Sequence, residues 1–241
     1  MDAPMALPAM PAITRRSDGW RGPCELRWLG ADDTQAIIGL QAHVAASLTM
    51  DSYYADNEEE LHGLFAQGGI AAGAVADGGL IAFHTALIPG DSPCNLGSDV
   101  GLPPGELARV AHLENCAVHP DFRGNSLQRL LAAALIEALE ARGYRYLCET
   151  VAPGNWPSIK STLDNGLIIT GLKKKYGGYW RYLFVRDLLH PIRPDLSAAI
   201  RWVDAADIEG QLDRFAAGHI AVRIAEEQGR MRLGFVSRLP S

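Results

Sequence analysis

The sequence predicts an α/β fold of the α+β kind: a mixed, partly parallel central sheet flanked by helices, with a small C-terminal α/β appendage. Three observations carry this. Val110 to Val118, an apolar helical face over Ser126 to Arg142, and Tyr146 to Val151 make a strand–helix–strand unit, and a connection of that length forces a parallel, right-handed crossover. Asp77-Gly78 and Gly177-Gly178 each lie between β-like runs and mark antiparallel hairpins. His190-Pro191 with Pro194 marks a linker before a last set of elements. The expected division is a tail over residues 1–23, a main domain over 24–190 and an appended subdomain over 191–241.

Composition sets the outer bounds. Of 241 residues, 48% are hydrophobic and 21% charged, an ordinary globular balance that suits one domain plus an appendage. A core of that size folds without disulfide or metal staples. The formal net charge of -6 argues against a nucleic-acid partner, because phosphate binding needs a concentrated basic face. A mildly acidic surface suits a cationic small substrate. Cys24, Cys94, Cys116 and Cys148 form no CxxC pair, so neither zinc spacing nor an extracellular disulfide framework is indicated, and no metal is expected. In the leader, Pro4, Pro8 and Pro11 precede Arg15, Arg16 and Asp18. That order is the reverse of a signal peptide's, and the segment reads as a disordered tail. No apolar run approaches the ~20 residues of a membrane span. A cytoplasmic protein without membrane contact is expected.

Taken in order, Glu25 to Leu29 reads as a short strand, followed by Asp32 or Asp33 as a helix N-cap. Ile37, Leu40, Gln41, Val44 and Leu48 then fall on helical spacing. A polar link with Tyr53 and Tyr54 leads to Asn57, a second cap, and to a helix over Glu58 to Gln67 closed by Gly68-Gly69. Ile70 to Val75 and Leu80 to Ile88 flank the Asp77-Gly78 turn. Pro89 to Gly105 is long for a passive connection and is expected to bear on substrate. His119-Pro120-Asp121 stops the strand that begins at Val110. Leu127, Leu130, Leu131, Ala134, Leu135, Ala138 and Leu139 then form one apolar helix face, with Arg129, Glu137 and Glu140 turned outward. After Tyr146 to Val151, Pro153-Gly154-Asn155 opens a helix that runs through about Asp164. Leu167 to Lys173 and Tyr179 to Val185 form a closing antiparallel pair. In the appendage, Ile200 to Val203 reads as a strand, Asp207 to Ala217 as a helix, and the residues around Gln228-Gly229 as a hairpin.

The stretch from Val118 to Gln128 carries chemistry. A glycine-bearing turn between a strand and an amphipathic helix leaves backbone N–H groups at the positive end of a helix dipole, a setting that binds phosphate. No Gly-Lys-Ser/Thr follows, so it is not a Walker loop, and with Gly124 alone it is not a dinucleotide fingerprint. On its own the fragment is equally an ordinary βα turn with a surface arginine. Lys173-Lys174-Lys175 is too short a basic run for nucleic acid and reads either as a solvated face or as help for a phosphate.

Val118-His-Pro-Asp-Phe-Arg123-Gly124-Asn125-Ser126-Leu127 resembles the acyl-CoA motif of the GNAT superfamily of N-acetyltransferases. Asn155, Ser158, Ile159, Gly166 and Leu167 mirror that family's later spacing, and the likeness covers about Cys24 to Leu188. The sequence departs from the pattern at Ser126, where glycine is usual, and at Gln128, where glycine or alanine is usual. It departs again at Thr162, where a tyrosine often protonates the departing thiolate. Tyr176 and Tyr179 are the conceivable substitutes, and water is the other.

The resemblance implies a GNAT-like fold and acetyl-CoA, or another acyl-CoA, as co-substrate. It places the cofactor against Cys116, Ala117, Val118, Arg123, Gly124, Asn125, Ser126, Leu127, Gln128, Asn155 and Ser158. Acyl transfer to an amine needs a base, because a lysine-like ammonium has a pKa of about 10.4. Glu114 is the candidate, taken to share a strand face with Cys116 and Val118, and His112 on that face is the competing base. Glu149 either binds the incoming ammonium or pairs with a neighbouring cation. Backbone N–H groups around Cys116 to Val118 would meet the oxyanion, and Cys116 itself is read as packing. The leading expectation is therefore an N-acetyltransferase acting on a primary amine of a small metabolite by direct attack. A protein N-acetyltransferase and a catalytically silent acyl-CoA-binding module are the alternatives. Residues after Pro194 either complete an acceptor pocket or make a homodimer contact.

Overall fold

The computed structural model describes residues 6–10, 12–47 and 54–239. In chain order its elements are β1 (Ile13–Thr14), β2 (Arg21–Gly22), β3 (Glu25–Leu29), α1 (Thr34–Ala46), α2 (Glu58–Ala66), β4 (Ile70–Ala76), β5 (Gly79–Leu87), α3 (Leu96–Asp99), β6 (Val110–Val118), α4 (Leu127–Ala141), β7 (Tyr146–Val151), α5 (Trp156–Asp164), β8 (Ile168–Lys175), β9 (Tyr179–Asp187), β10 (Arg201–Asp204), α6 (Ile208–Ala216), β11 (Ile220–Glu227) and β12 (Arg230–Val236). Leu48 and Tyr53, expected on the first helix and its link, lie outside the described residues.

The chain divides into two compact units, Met1–Ile88 with Ala111–Gly143 and Pro89–Val110 with Tyr144–Ser241. In the first, β3, β4, β5 and β6 form an antiparallel run. Asp77 (φ 50) and Gly78 (φ 76) take the two left-handed positions that the tight β4–β5 turn demands. Leu29, Ile37, Leu40, Val44, Leu61, Ala71, Phe83 and Ala117 make the core that α1 and α2 cover. Asn57 caps α2 as expected. Its side chain accepts the Glu60 N–H at 3.0 Å, while Glu60 Oε2 accepts the Asn57 N–H at 2.8 Å. Asp33 stands at the α1 N-cap position but makes no side-chain capping bond. Its carboxylate binds Arg27 and the Gly30 N–H instead. α4 buries Leu127, Leu131, Ala134, Leu135, Ala138 and Leu139, the apolar stripe read from the sequence, while Leu130 is only half-buried.

The expected tail over residues 1–23 is corrected within its described part. β1 and β2 pair as a small hairpin, Ile13 is buried, and the Trp20 ring meets Phe122 edge-on at 6.3 Å. Buried apolar contact, invisible to a local reading, orders the segment.

In the second unit the strands run β10-β12-β11-β8-β9-β7, and each neighbouring pair is antiparallel. The boundary expected at residue 190 is not a boundary of contacts. Ala221 of β11 pairs with Ile169 of β8. The supposed linker is itself paired, with Asp195 N–H donating to Ser237 O at 2.9 Å. Tyr182 of β9, fully buried, donates its hydroxyl to Gln211 Oε1 of α6 at 2.8 Å, and Gln211 Nε2 donates to Asp204 O and Ala205 O. The Pro89 to Gly105 stretch is folded around Asn95, which is 1% exposed and donates to Gly90 O (2.8 Å) and Leu107 O (3.1 Å). Asp99 of α3 pairs with Lys173 and Lys175, so two of the three lysines are spent on an internal partner.

Tyr182→Phe removes the donor while leaving Gln211 buried. It should lower unfolding stability by about 1–3 kcal/mol, read as a lower midpoint in urea at unchanged slope. An unchanged midpoint would show that the bond does not couple α6 to β9.

Candidate functional site

After β6 the chain turns through a 3-10 segment, Pro120–Phe122, into α4. The His119 ring stacks on His43 with centroids 4.2 Å apart, and its Nδ1 accepts the Asp121 N–H at 3.2 Å. Burial first, and the His43 charge next, hold the His119 pKa below its ordinary value. Gly124 (φ 89) and Ser126 (φ 58) are both left-handed. For Ser126 that conformation costs on the order of 1–2 kcal/mol. Its side chain makes no capping bond to the helix. The first helical bond runs from Leu130 N to Ser126 O at 3.1 Å, so the amides of Leu127 and Arg129 have no intrahelical acceptor. A Cβ placed on Gly124 would meet nothing within 4 Å, which leaves the backbone open to close approach. Left-handed positions on either side of Asn125, just before a helix N-terminus, suit an anionic phosphate group.

The side chains of the turn are otherwise occupied. Arg123 Nη2 lies 3.4 Å from Ser47 Oγ. Asn125, expected to meet the cofactor, accepts the Thr14 N–H at 3.0 Å and donates to Thr14 O at 2.8 Å and Phe122 O at 2.9 Å. Only its backbone remains for a ligand.

β6 carries the acid–base candidates. His84 pairs with Cys116 and Ala86 with Leu113, so β6 has one more residue than β5 between those rungs. This bulge lies at Glu114–Asn115, where Thr85 Oγ1 donates to Asn115 O at 3.2 Å. An inserted residue reverses the facing of everything beyond it. The expectation that Glu114 shares a face with Cys116 and Val118 is corrected accordingly. Glu114 and His112, weighed as rivals, are partners: Nδ1 and Oε1 are 3.1 Å apart, with side-chain exposures of 4% for His112 and 37% for Glu114. The buried His112 ring thus holds the direction of the reachable Glu114 carboxylate. The His119 N–H donates to Ile81 O at 2.8 Å, so alternation along β6 turns the Ala117 amide toward β5 and those of Cys116 and Val118 away from it.

In the second unit Glu149 and Thr162 are buried together, with Thr162 Oγ1 3.1 Å from Glu149 Oε2 and 2.9 Å from Ser158 O. Asn155, expected to bind cofactor, caps α5 by accepting the Ser158 N–H at 3.4 Å. The Tyr176 hydroxyl lies 3.2 Å from Thr150 Oγ1, and Tyr179 is exposed. Among the described residues no group of three or more His, Cys, Asp or Glu side chains is placed to hold a metal, and no helix is long and apolar enough to cross a membrane.

The model of the acetyltransferase (GNAT) family matches residues 24–161, more than half of the chain. The chain belongs to the GNAT acetyltransferase family. Membership makes it an acyl-CoA-dependent transferase by class. No curated protein matches the chain. Among solved structures it is similar to an N-acetyltransferase from Staphylococcus aureus Mu50 (18% identity, 69% of this chain and 99% of that one, TM-score 0.52). It is also similar to yncA from Salmonella typhimurium, determined with its cofactor acetyl-CoA (17%, 73% and 99%, 0.54). A third is the ribosomal-protein-S18-alanine N-acetyltransferase from Escherichia coli (18%, 67% and 92%, 0.51). At these identities the likeness shows the GNAT fold, a mixed α/β architecture with a sheet flanked by helices.

Against the GNAT pattern, two features stand out that sequence reading missed. One is His84, buried at 2% exposure on β5 with neither ring nitrogen partnered among the described residues. Burial pushes its pKa down to about 4, so it is neutral at pH 7. The other is Asp56. Asn115 Nδ2 donates to its Oδ2 at 2.9 Å, to Gln41 Oε1 at 2.6 Å and to Tyr54 O at 2.9 Å. Gln41, read only as a helix-face residue, also accepts the Asp56 N–H at 2.9 Å and donates to Asp56 O at 3.0 Å. Burial, then the charges of Glu60 and Glu114, lift the Asp56 carboxyl to about 6, against the lowering effect of the Asn115 bond.

Because the folded pKa of Asp56 is raised, the native chain holds a proton that the unfolded chain releases, and stability falls as pH rises from about 4 through about 6. Asp56→Asn should therefore stabilise the chain by on the order of 2 kcal/mol at pH 8, with the gain vanishing below about pH 4. Denaturant melts across that range check it, and a gain that does not vary with pH would refute the raised carboxyl.

Proposed function

We propose that the chain transfers the acetyl group of acetyl-CoA to a primary amine of a small metabolite by direct attack. The observation that carries this is the Glu114 carboxylate, half-exposed at the β6 bulge and held by His112. The reading uses the first unit alone. The outward amides after Gly124, with the Arg123 cation, suit the diphosphate of the co-substrate. Gln128, the second residue of α4, stands where small residues are usual. When bound, acetyl-CoA supplies the activated acetyl group.

Glu114 takes the proton of the incoming ammonium, directly or through one water, and His112 fixes its direction. The Val118 amide, turned away from β5, suits an oxygen that gains negative charge. Cys116 needs no nucleophilic part. Thr162 cannot return a proton in the manner of tyrosine, since its hydroxyl is spent between Glu149 and Ser158, and water is assigned that step. Glu149, buried with Thr162, carries no part of the proposal. Asp56, Glu60 and Glu114 give the first unit a local negative field that favours a cationic acceptor.

A thiol-release screen over amino acids, polyamines, aminosugars and peptides tests the reading. Turnover with a small amine is expected, and Glu114→Gln should lower kcat by about 10²-fold or more with CoA binding retained. Turnover restricted to peptides would favour the protein acceptor. CoA binding with no turnover on any amine would favour the silent binding module.

A further inference from the structure

We propose that the N-terminal hairpin clamps the diphosphate turn in its ligand-ready shape, with Asn125 as the positioning residue. The inference rests on the proposed role of that turn. Asn125 sits between Gly124 and Ser126, two left-handed residues of which only one is glycine. Such a backbone persists only where its surroundings over-determine it, and here the constraints come from residues 13–22. Both polar atoms of the Asn125 side chain are spent on the Thr14 backbone, as though Asn125 were one more rung beside β1. The same side chain holds Phe122 O, which closes the turn from inside.

The rest of the hairpin repeats the attachment along the preceding residues. Arg16 N–H donates to Asp121 O at 2.7 Å, and Ser17 Oγ donates to Asp121 Oδ2 at 2.9 Å. Trp20 packs edge-on against Phe122, which is itself 4% exposed. Arg15 anchors the far side by pairing with Asp18 and with Asp77 of the β4–β5 turn. Three residues of the 119–125 loop, Asp121, Phe122 and Asn125, are thus tied to one short hairpin, and none of these contacts uses the amides of Leu127 or Arg129. The arrangement shapes a binding surface while leaving it open.

Pre-organisation of this kind acts on ground-state binding, so its loss should raise KM for acetyl-CoA and leave kcat and the acceptor KM nearly unchanged. Calorimetric titration with CoA, paired with steady-state kinetics, reads the effect. Asn125→Ala is expected to weaken CoA binding by on the order of tenfold. The double variant Ser17→Ala/Trp20→Ala loosens the hairpin without altering the turn and should do the same. Combining it with Asn125→Ala should add little, because both remove one constraint. A chain lacking residues 1–22 serves as a fourth arm if its thermal melt shows that it folds.

Equal CoA affinity in folded Asn125→Ala and unaltered chain would overturn the clamp. Additive losses would show that Asn125 meets the ligand on its own account, which overturns it equally. If the unaltered chain gives no heat with CoA, the assignment of the turn fails and the clamp with it. That result is distinct from binding that all variants share.

Discussion

One additional residue in β6 sets the chemistry of the first unit. Between the His84–Cys116 and Ala86–Leu113 rungs the strand must accommodate Glu114 and Asn115 opposite Thr85. The insertion breaks the alternation, so Ala117 joins the core beneath α1 while Asn115 is left to bond Gln41, Asp56 and Tyr54. Those bonds tie the link before α2 to the sheet, and they hold the half-buried Asp56 near the carboxylates of Glu60 and Glu114. Glu114, on the same irregular segment, stays half-exposed beside His112. A regular strand would present one residue at a time to each face. The bulge presents two neighbours, and that is how one short stretch both anchors a polar cluster and leaves a carboxylate half-exposed.

The parts of the fold that depend on local chemistry were legible in the sequence. Tight turns need positive φ, and Asp77-Gly78, Gly177-Gly178 and Gln228-Gly229 all supply it. The leucine face of α4 and the Asn57–Glu60 capping box are equally local. What stayed hidden depends on distance along the chain. Thr14 and Asn125 are 111 positions apart, and Asn115 and Gln41 are 74 apart. No spacing rule reports such pairs. The bulge was hidden for a different reason: an alternating pattern read along β6 assumes regular pairing, and one inserted residue falsifies every assignment beyond it. Prolines likewise mark a bend near residue 190 without saying whether the pieces on either side pair, as Ala221 and Ile169 do.

The candidate site was legible in its parts list more than in its relations. Glu114, His112, Arg123, Gly124 and Asn125 were all named from sequence. Yet the structure makes His112 and Glu114 partners where they were rivals, and it bonds the Asn125 side chain to the backbone of Thr14 and Phe122. Thr162 explains its own substitution: a buried hydroxyl within reach of Glu149 and Ser158 O serves packing in the second unit, where a tyrosine would need space and an outlet.

A turn richer in glycine would reach left-handed conformations at little cost, because a residue without Cβ samples them freely. With Ser126 in that position the backbone preference works against the bound shape, and an external restraint must offset it. The restraint comes from far along the sequence, but distance is cheap: the entropy of closing a flexible loop grows only logarithmically with its length. A short hairpin with one buried isoleucine and an edge-on tryptophan can therefore hold a remote turn once its own packing is favourable. Residues 13–22 precede the span, 24–161, that the family pattern recognises. The span that matches the family supplies the turn, and under the proposed clamp residues 13–22, which precede that span, compensate for the glycine that this turn lacks.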